Sequence, residues 1–179
     1  MERNNLWAPW RINYIQGLDK TTGCFICNNR DAPQKDDENL VLWRCDKSIV
    51  ILNRYPYNNG HLLIAPLRHI PDLDQANDEE MLEMTKLVRE SQKALSLAIK
   101  PHGFNVGMNF GRCAGAGLPG HLHIHVVPRW SGDTNFMNVC GNADIISQSL
   151  IELLAMLKEA SKEHRLPELS DQQGQSRDR

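Results

Sequence analysis

The chain has 179 residues, 41% of them hydrophobic, enough for one domain with a sizeable core. A formal net charge of −2 and a pI of about 6.4 give no global basic field of the kind that marks a nucleic-acid binder. No apolar run approaches the roughly 20 residues of a membrane helix. The opening MERNNLWAPWRINYI sets Trp and Arg where a signal peptide needs an apolar stretch, so a cytoplasmic protein with no membrane or nucleic-acid partner is expected.

Residues 1–22, with Trp7, Pro9 and Trp10 close together, read as an ordered arm laid over a domain spanning 23–166. Residues 28–39 are a polar loop. Leu40–Cys45 and Ser48–Asn53 are short β-type runs on either side of Asp46-Lys47, which predicts a hairpin. GHLLIAP, Gly60–Pro66, is a third strand after the turn-rich Tyr55-Pro56-Tyr57-Asn58-Asn59. A helix follows, capped by Asn77 with Glu80 three residues on and striped with Leu87, Val88, Ala94, Leu95 and Ala98, until Pro101 and Gly103 stop it. Phe104–Asn109 and His121–Pro128 read as two further strands. The last helix is expected near Ile145–His164, and the apolar-poor tail, 167–179, is expected to be disordered. This order favours an α+β fold, a sheet with helices against one face.

The sequence His121-Leu-His123-Ile-His125 places three imidazoles at i, i+2 and i+4, on one face of a strand. Three histidines in a row are no packing solution, because each ring needs partners for two nitrogens. A rise of roughly 3.3 Å per residue sets the outer two about 13 Å apart at the backbone, too far for one ion to bridge all three. The division that remains gives one end of the ladder to a metal or a hydrogen bond and turns the middle ring toward a substrate. Neutral imidazole is a good nucleophile toward phosphorus near pH 7, provided its other nitrogen donates a hydrogen bond that fixes the tautomer. Just before the ladder, GRCAGAGLPG carries four glycines in ten residues, which suits a loop whose amides turn toward an anion.

GHLHIHVVPRW resembles the signature of the histidine-triad (HIT) family, His-φ-His-φ-His-φ-φ with φ apolar. NRYPYNNGHLLIAPLRHI resembles the family's nucleotide-binding strand pair, and HGFNVGMNFG its penultimate strand. PRWSGDTNFM is similar to the diadenosine tetraphosphate (Ap4A) phosphorylase-like branch. The resemblance implies a HIT-like fold, with an antiparallel sheet of about five strands, a central helix and a C-terminal helix. It implies a nucleotidyl transferase acting on adenosine polyphosphates, with inorganic phosphate as second substrate, and a homodimer. His123 would be the nucleophile, His125 would contact the phosphates with His61 close by, and Asn109 would meet the phosphates and leaving group. Asn53 would hold the ribose, and the amides of Gly115 and Gly117 would cradle phosphate. The alternatives are a hydrolase of dinucleoside polyphosphates or phosphoramidates, and a non-enzymatic nucleotide-binding module. Ala114–Gly120 lacks the Gln, Ser or Thr usual in HIT hydrolases, which favours phosphate over water as acceptor.

Cys24-x-x-Cys27 has the knuckle spacing of a metal site, a spacing that redox pairs share, but nothing nearby reads as a thioredoxin-type βαβ unit. In zinc-bearing HIT relatives, histidines at the positions of His69 and His121 complete a Cys2His2 set, so the resemblance implies structural zinc on Cys24, Cys27, His69 and His121. Cys45 fits a strand position, Cys113 lies in the glycine-rich loop without an activating base, and Cys140 has no matched spacing. His102 and His164 read as surface residues. Arg129 and Trp130 admit either contact with the far end of a dinucleotide or, for Trp130, packing in an interface.

Overall fold

The computed structural model describes residues 23–133, 146 and 148–169. Its elements run α1 Phe25–Arg30, β1 Val41–Arg44, β2 Ser48–Leu52, β3 Leu62–Pro66, α2 Asp78–Ile99, β4 Gly103–Met108, β5 Ile124–Arg129 and α3 Leu150–Glu163. The strands form one antiparallel sheet in the order β1-β2-β3-β5-β4. The arm 1–22, Cys140, Ile145 and residues 170–179 lie outside the described residues. Among those described, no helix is long and apolar enough to cross a membrane.

Strand alternation sorts the side chains into two faces. Val50, Leu52, Leu62, Ile64, Leu122, Ile124 and Val126 meet Met84, Leu87 and Leu95 of α2 and Leu153, Leu154 and Leu157 of α3 in the main core. On the opposite face Ile49, Ile51 and Ala65 form a smaller cluster with Val41 and with Ile26 of α1. His125 also faces this side, paired in register with Leu63 of β3 and Gly107 of β4. The two long helices therefore occupy the face away from the histidines.

α2 starts on a reciprocal capping box, in which Asn77 and Glu80 each accept from the other's backbone N–H. Glu80 also holds Arg68 through a bidentate contact at 2.6 Å, which ties the start of α2 to the end of β3 and fixes the turn that carries His69. The helix ends at Lys100 in the left-handed conformation, just before Pro101. The short connection from β2 to β3 closes over the end of α2 at Gly60, whose φ is +79°. A Cβ there would lie 2.7 Å from Ile99 and 2.9 Å from Leu95.

Three boundaries depart from the sequence expectation. α1 occupies the beginning of what reads as a polar loop, held by the Arg44 guanidinium on the carbonyls of Asn29 and Arg30. α3 begins at Leu150. The ladder strand begins at Ile124, where pairing with Ile64 of β3 starts, so His121 and His123 precede the strand instead of belonging to it. The backbone there is held by Leu122 N–H on the Ile70 carbonyl, at 2.6 Å.

Candidate active site and metal centre

A backbone N–H can only donate and a backbone carbonyl can only accept, so main-chain partners fix the tautomer of each imidazole. His123 Nδ1 lies 2.7 Å from the carbonyl of His121 and must carry the proton. Its Nε2 is thereby left with the lone pair. His61 Nδ1 accepts the Tyr57 N–H at 3.1 Å, with the Asn53 Nδ2 a second donor at 3.2 Å. His61 therefore holds its proton on Nε2 and donates it to His125 Nδ1 at 2.9 Å. His125 in turn presents an Nε2–H.

Two adjacent rings of the ladder, with centroids 4.8 Å apart, thus offer opposite functions: His123 a lone pair and His125 a donor. Asn109 Nδ2 lies 3.3 Å from His125 Nε2. Both are donors and neither satisfies the other, whereas an anionic oxygen between them accepts from both. Gly115 stands beside Asn109, since a Cβ on it would lie 3.9 Å from the Asn109 amide nitrogen.

Burial keeps these rings neutral. It pushes His61 down to about 3, with the neighbouring His125 and His123 adding to the shift. His125 is pushed down to about 4, by burial first and His123 second. Burial lowers His123 as well, opposed by its hydrogen bond to the His121 carbonyl. Lone pair and donor therefore coexist uncharged at neutral pH. Tyr57, half exposed, lies over His61 and His125 with ring centroids 4.7 and 5.7 Å away and covers one side of the pair.

The glycine-rich loop forms a turn at Arg112–Ala114 between Gly111 and Gly115, whose φ values are +77° and +90°. The Gly115 N–H is spent on the Arg112 carbonyl, so this glycine serves the turn through its conformation. Among the described residues, no carbonyl takes the Gly117 N–H.

Cys24, Cys27, His69 and His121 come together with their ligand atoms all within 4.8 Å of one another. Cys24 Sγ is 3.1 Å from His121 Nδ1, and Cys27 Sγ is 3.3 Å from His69 Nδ1 and 3.6 Å from His121 Nδ1. Bonds of about 2.3 Å to sulfur and 2.0 Å to nitrogen give tetrahedral edges of roughly 3.3–3.8 Å, so the donors fit a zinc-sized ion. His121 Nε2 donates to the Pro66 carbonyl at 2.8 Å, which turns the Nδ1 lone pair toward the thiols. Burial pushes the Cys45 thiol up to about 12, which keeps it protonated at neutral pH.

Some site residues sit differently from their expected neighbours. His61 precedes β3 and reaches His125. Asn53 continues the parity of β2 onto this face, with its carboxamide bridging His61 and the Tyr55 N–H. Arg129 is engaged by Asp133 and by Asn105 Oδ1, near the far end of β5. Three groups that sequence reasoning did not single out, the Tyr57 N–H and the carbonyls of Pro66 and His121, set the imidazole tautomers. The signal for the first was the turn before His61. The carbonyls had none.

A profile of the HIT domain matches residues 34–132. A Mycobacterium tuberculosis protein named AP-4-A phosphorylase is 37% identical over 158 residues, 85% of this chain and 81% of its own. The asymmetrical bis(5'-nucleosyl)-tetraphosphatase of Schizosaccharomyces pombe is 30% identical over 93 residues, 52% of this chain and 50% of its own. Among solved structures, a Zn-bound histidine triad family protein from Mycobacterium smegmatis superposes with a TM-score of 0.66 at 24% identity, over 82% of this chain and 98% of that one. A hypothetical histidine triad nucleotide-binding protein from Sulfolobus tokodaii gives 0.63 at 25% identity, over 79% and 94%.

Proposed function

Because the chain belongs to the HIT domain family, we propose that it is a nucleotidyl transferase that cleaves Ap4A by phosphorolysis through an adenylyl-His123 intermediate. The observation that carries this reading is the pair of opposed tautomers, a lone pair on His123 Nε2 beside an N–H on His125 Nε2. In the first step His123 Nε2 attacks the α-phosphorus, a P–N bond forms, and the P–O bond to the rest of the substrate breaks, releasing ATP. His125 and Asn109 donate to the oxygens on which negative charge develops. In the second step inorganic phosphate attacks the adenylyl group, the P–N bond breaks, and ADP leaves. Splitting one displacement into two is the gain of covalent catalysis.

His61 acts through His125 and is a positioning residue. The ribose is assigned to Asn53, and the Gly117 amide to a phosphate. The Cys2His2 donor set suits zinc, and four protein ligands close the coordination sphere, so the ion would be structural. The likeness to a Zn-bound protein of the same fold supports that reading. A homodimer is proposed from family membership alone.

The second reading is hydrolysis, favoured by the relative named as a tetraphosphatase. Rapid quenching of protein with Ap4A followed by mass spectrometry tests the reaction class: an AMP adduct on His123 is expected, and an active enzyme in which no adduct ever forms excludes the mechanism. Products then separate the branches. Phosphorolysis gives ADP and ATP only with phosphate present, whereas hydrolysis is indifferent to phosphate. His123→Asn is expected to abolish turnover while sparing nucleotide binding, and surviving turnover refutes a covalent role for His123.

A further inference from the structure

We infer that His121 positions the nucleophile as well as ligating the ion, so that the metal cluster governs how fast His123 is adenylylated. The inference rests on the nucleotidyl-transfer reading for its rate, though not for its geometry. His121 is fixed at three points. Its Nδ1 faces Cys24 and Cys27, its Nε2 donates to the Pro66 carbonyl at 2.8 Å, and its own carbonyl accepts from His123 Nδ1 at 2.7 Å. The last contact determines which nitrogen of His123 keeps the lone pair. His121 and His123 lie outside the ladder of β5, which starts at Ile124, so strand pairing does not hold this carbonyl in place. The local main-chain bonds are Leu122 N–H to Ile70 and a long His121 N–H to Leu118 at 3.4 Å.

The same cluster secures the end of the glycine-rich loop. Leu118 packs in the small apolar cluster with Cys24, and a Cβ on Gly120 would lie 3.5 Å from His69 Nε2. An ion drawing Cys24, Cys27, His69 and His121 together therefore fixes the His121 carbonyl and the loop beside the nucleophile in one act. Without it, the His121 side chain keeps only its Pro66 bond, and the carbonyl that holds the His123 proton on Nδ1 is steadied only through the Leu122 N–H of the same peptide unit on Ile70. A purely structural ion would leave the tautomer of a folded chain unchanged.

The test uses the full 15N-labelled chain in three states: zinc-loaded, cadmium-loaded and chelator-treated. Long-range 15N–1H correlation spectra report the His123 tautomer, and quenched mass spectrometry with Ap4A reports the adduct rate. With zinc, a single Nδ1–H tautomer is expected. In the chelated chain, with its circular dichroism retained, mixed tautomers are expected and the adduct rate falls at least tenfold. Cadmium, with longer bonds, is expected to shift the His123 signals and slow the adduct at least threefold. That comparison decides the matter if the chelated chain unfolds. An unchanged tautomer and equal rates across the folded states overturn the inference and leave nucleotidyl transfer intact. A tautomer that follows the metal while no adduct forms in any state does the reverse.

Discussion

In His61→Ala, His125 Nδ1 loses the N–H that binds it at 2.9 Å, and the proton of His125 is no longer held on Nε2. The donor that the proposed mechanism assigns to phosphate is then present for only part of the time. General acid–base and positioning effects of this kind are worth roughly 10²–10⁴-fold. A fall in kcat of about 10²-fold with KM little changed is expected in steady-state assays. Asn53→Ala, which leaves the Tyr57 N–H on His61, is expected to lower kcat far less; equal losses in the two variants contradict the tautomer chain. At this scale the sequence shows which residues matter and hides how they differ. The ladder spacing singles out His121, His123 and His125, and the HIT resemblance separates their tasks. The tautomers are set by main-chain groups of Tyr57, Pro66 and His121, which any residue type supplies, so no sequence pattern marks them.

Elements are positioned here by close approaches that tolerate little added volume. Gly60→Ala places a methyl 2.7 Å from Ile99 Cδ1, 2.9 Å from Leu95 Cδ2 and 3.1 Å from Pro128 Cγ, at a φ of +79°. Overpacking of a filled core costs about 1–3 kcal/mol, and a left-handed backbone on a residue with a Cβ costs about 1–2 kcal/mol more. Equilibrium unfolding in urea is expected to show a loss of about 2–5 kcal/mol; a variant within about 0.5 kcal/mol of the parent chain, the range of ordinary surface changes, sinks the packing argument. Apolar content made the β1–β2 hairpin, β3 and α2 legible, because each sends most of its apolar side chains into the core. It could not show α1, since six residues are too few for a helical period and such a helix depends on tertiary support. That support comes from Ile26 in the small cluster and from Arg44 on the helix-end carbonyls. The start of β5 was misplaced for a related reason. HLHIHVV alternates throughout, but a strand lasts only while a partner lies beside it, and pairing with β3 begins at Ile64↔Ile124.

Taken as a whole, the molecule keeps neutral imidazoles on one face of the sheet and paired carboxylates on α2, and each group gives its stability a separate response to acid. His61 and His125 have pKa values pushed down from 6.5, to about 3 and about 4, so between those limits the unfolded chain binds protons that the folded chain refuses. Their contribution is fully present above pH 6.5 and is lost as the pH falls toward 4 and 3. Glu80 and Glu90 are lowered as well, but from 4.5 and by partners that favour the charged form. The Arg68 contact lowers Glu80, while for Glu90 burial pushes upward and is outweighed by Lys93, Arg89 and the Glu168 N–H. Their contribution is present above 4.5 and is lost only as the pH falls below it. From pH 6.5 to 4.5, then, the histidines respond and these carboxylates do not. Each proton taken up differentially changes stability by about 1.4 kcal/mol per pH unit. Because His125 is partly exposed, a combined loss of about 1–2 kcal/mol between pH 6.5 and 5 is expected for this pair, read from the urea midpoint. The double variant His61→Asn, His125→Asn removes both groups and leaves the Cys–His cluster in place, so the difference between the two curves cancels any proton uptake by the metal ligands. A flatter limb in the variant from pH 6.5 to 5, with curves that become parallel only below about 3, is the expected outcome. Curves that stay parallel from pH 7 downward show that the histidine pair is already free to charge in the folded state, which contradicts the neutral relay from His61 to His125.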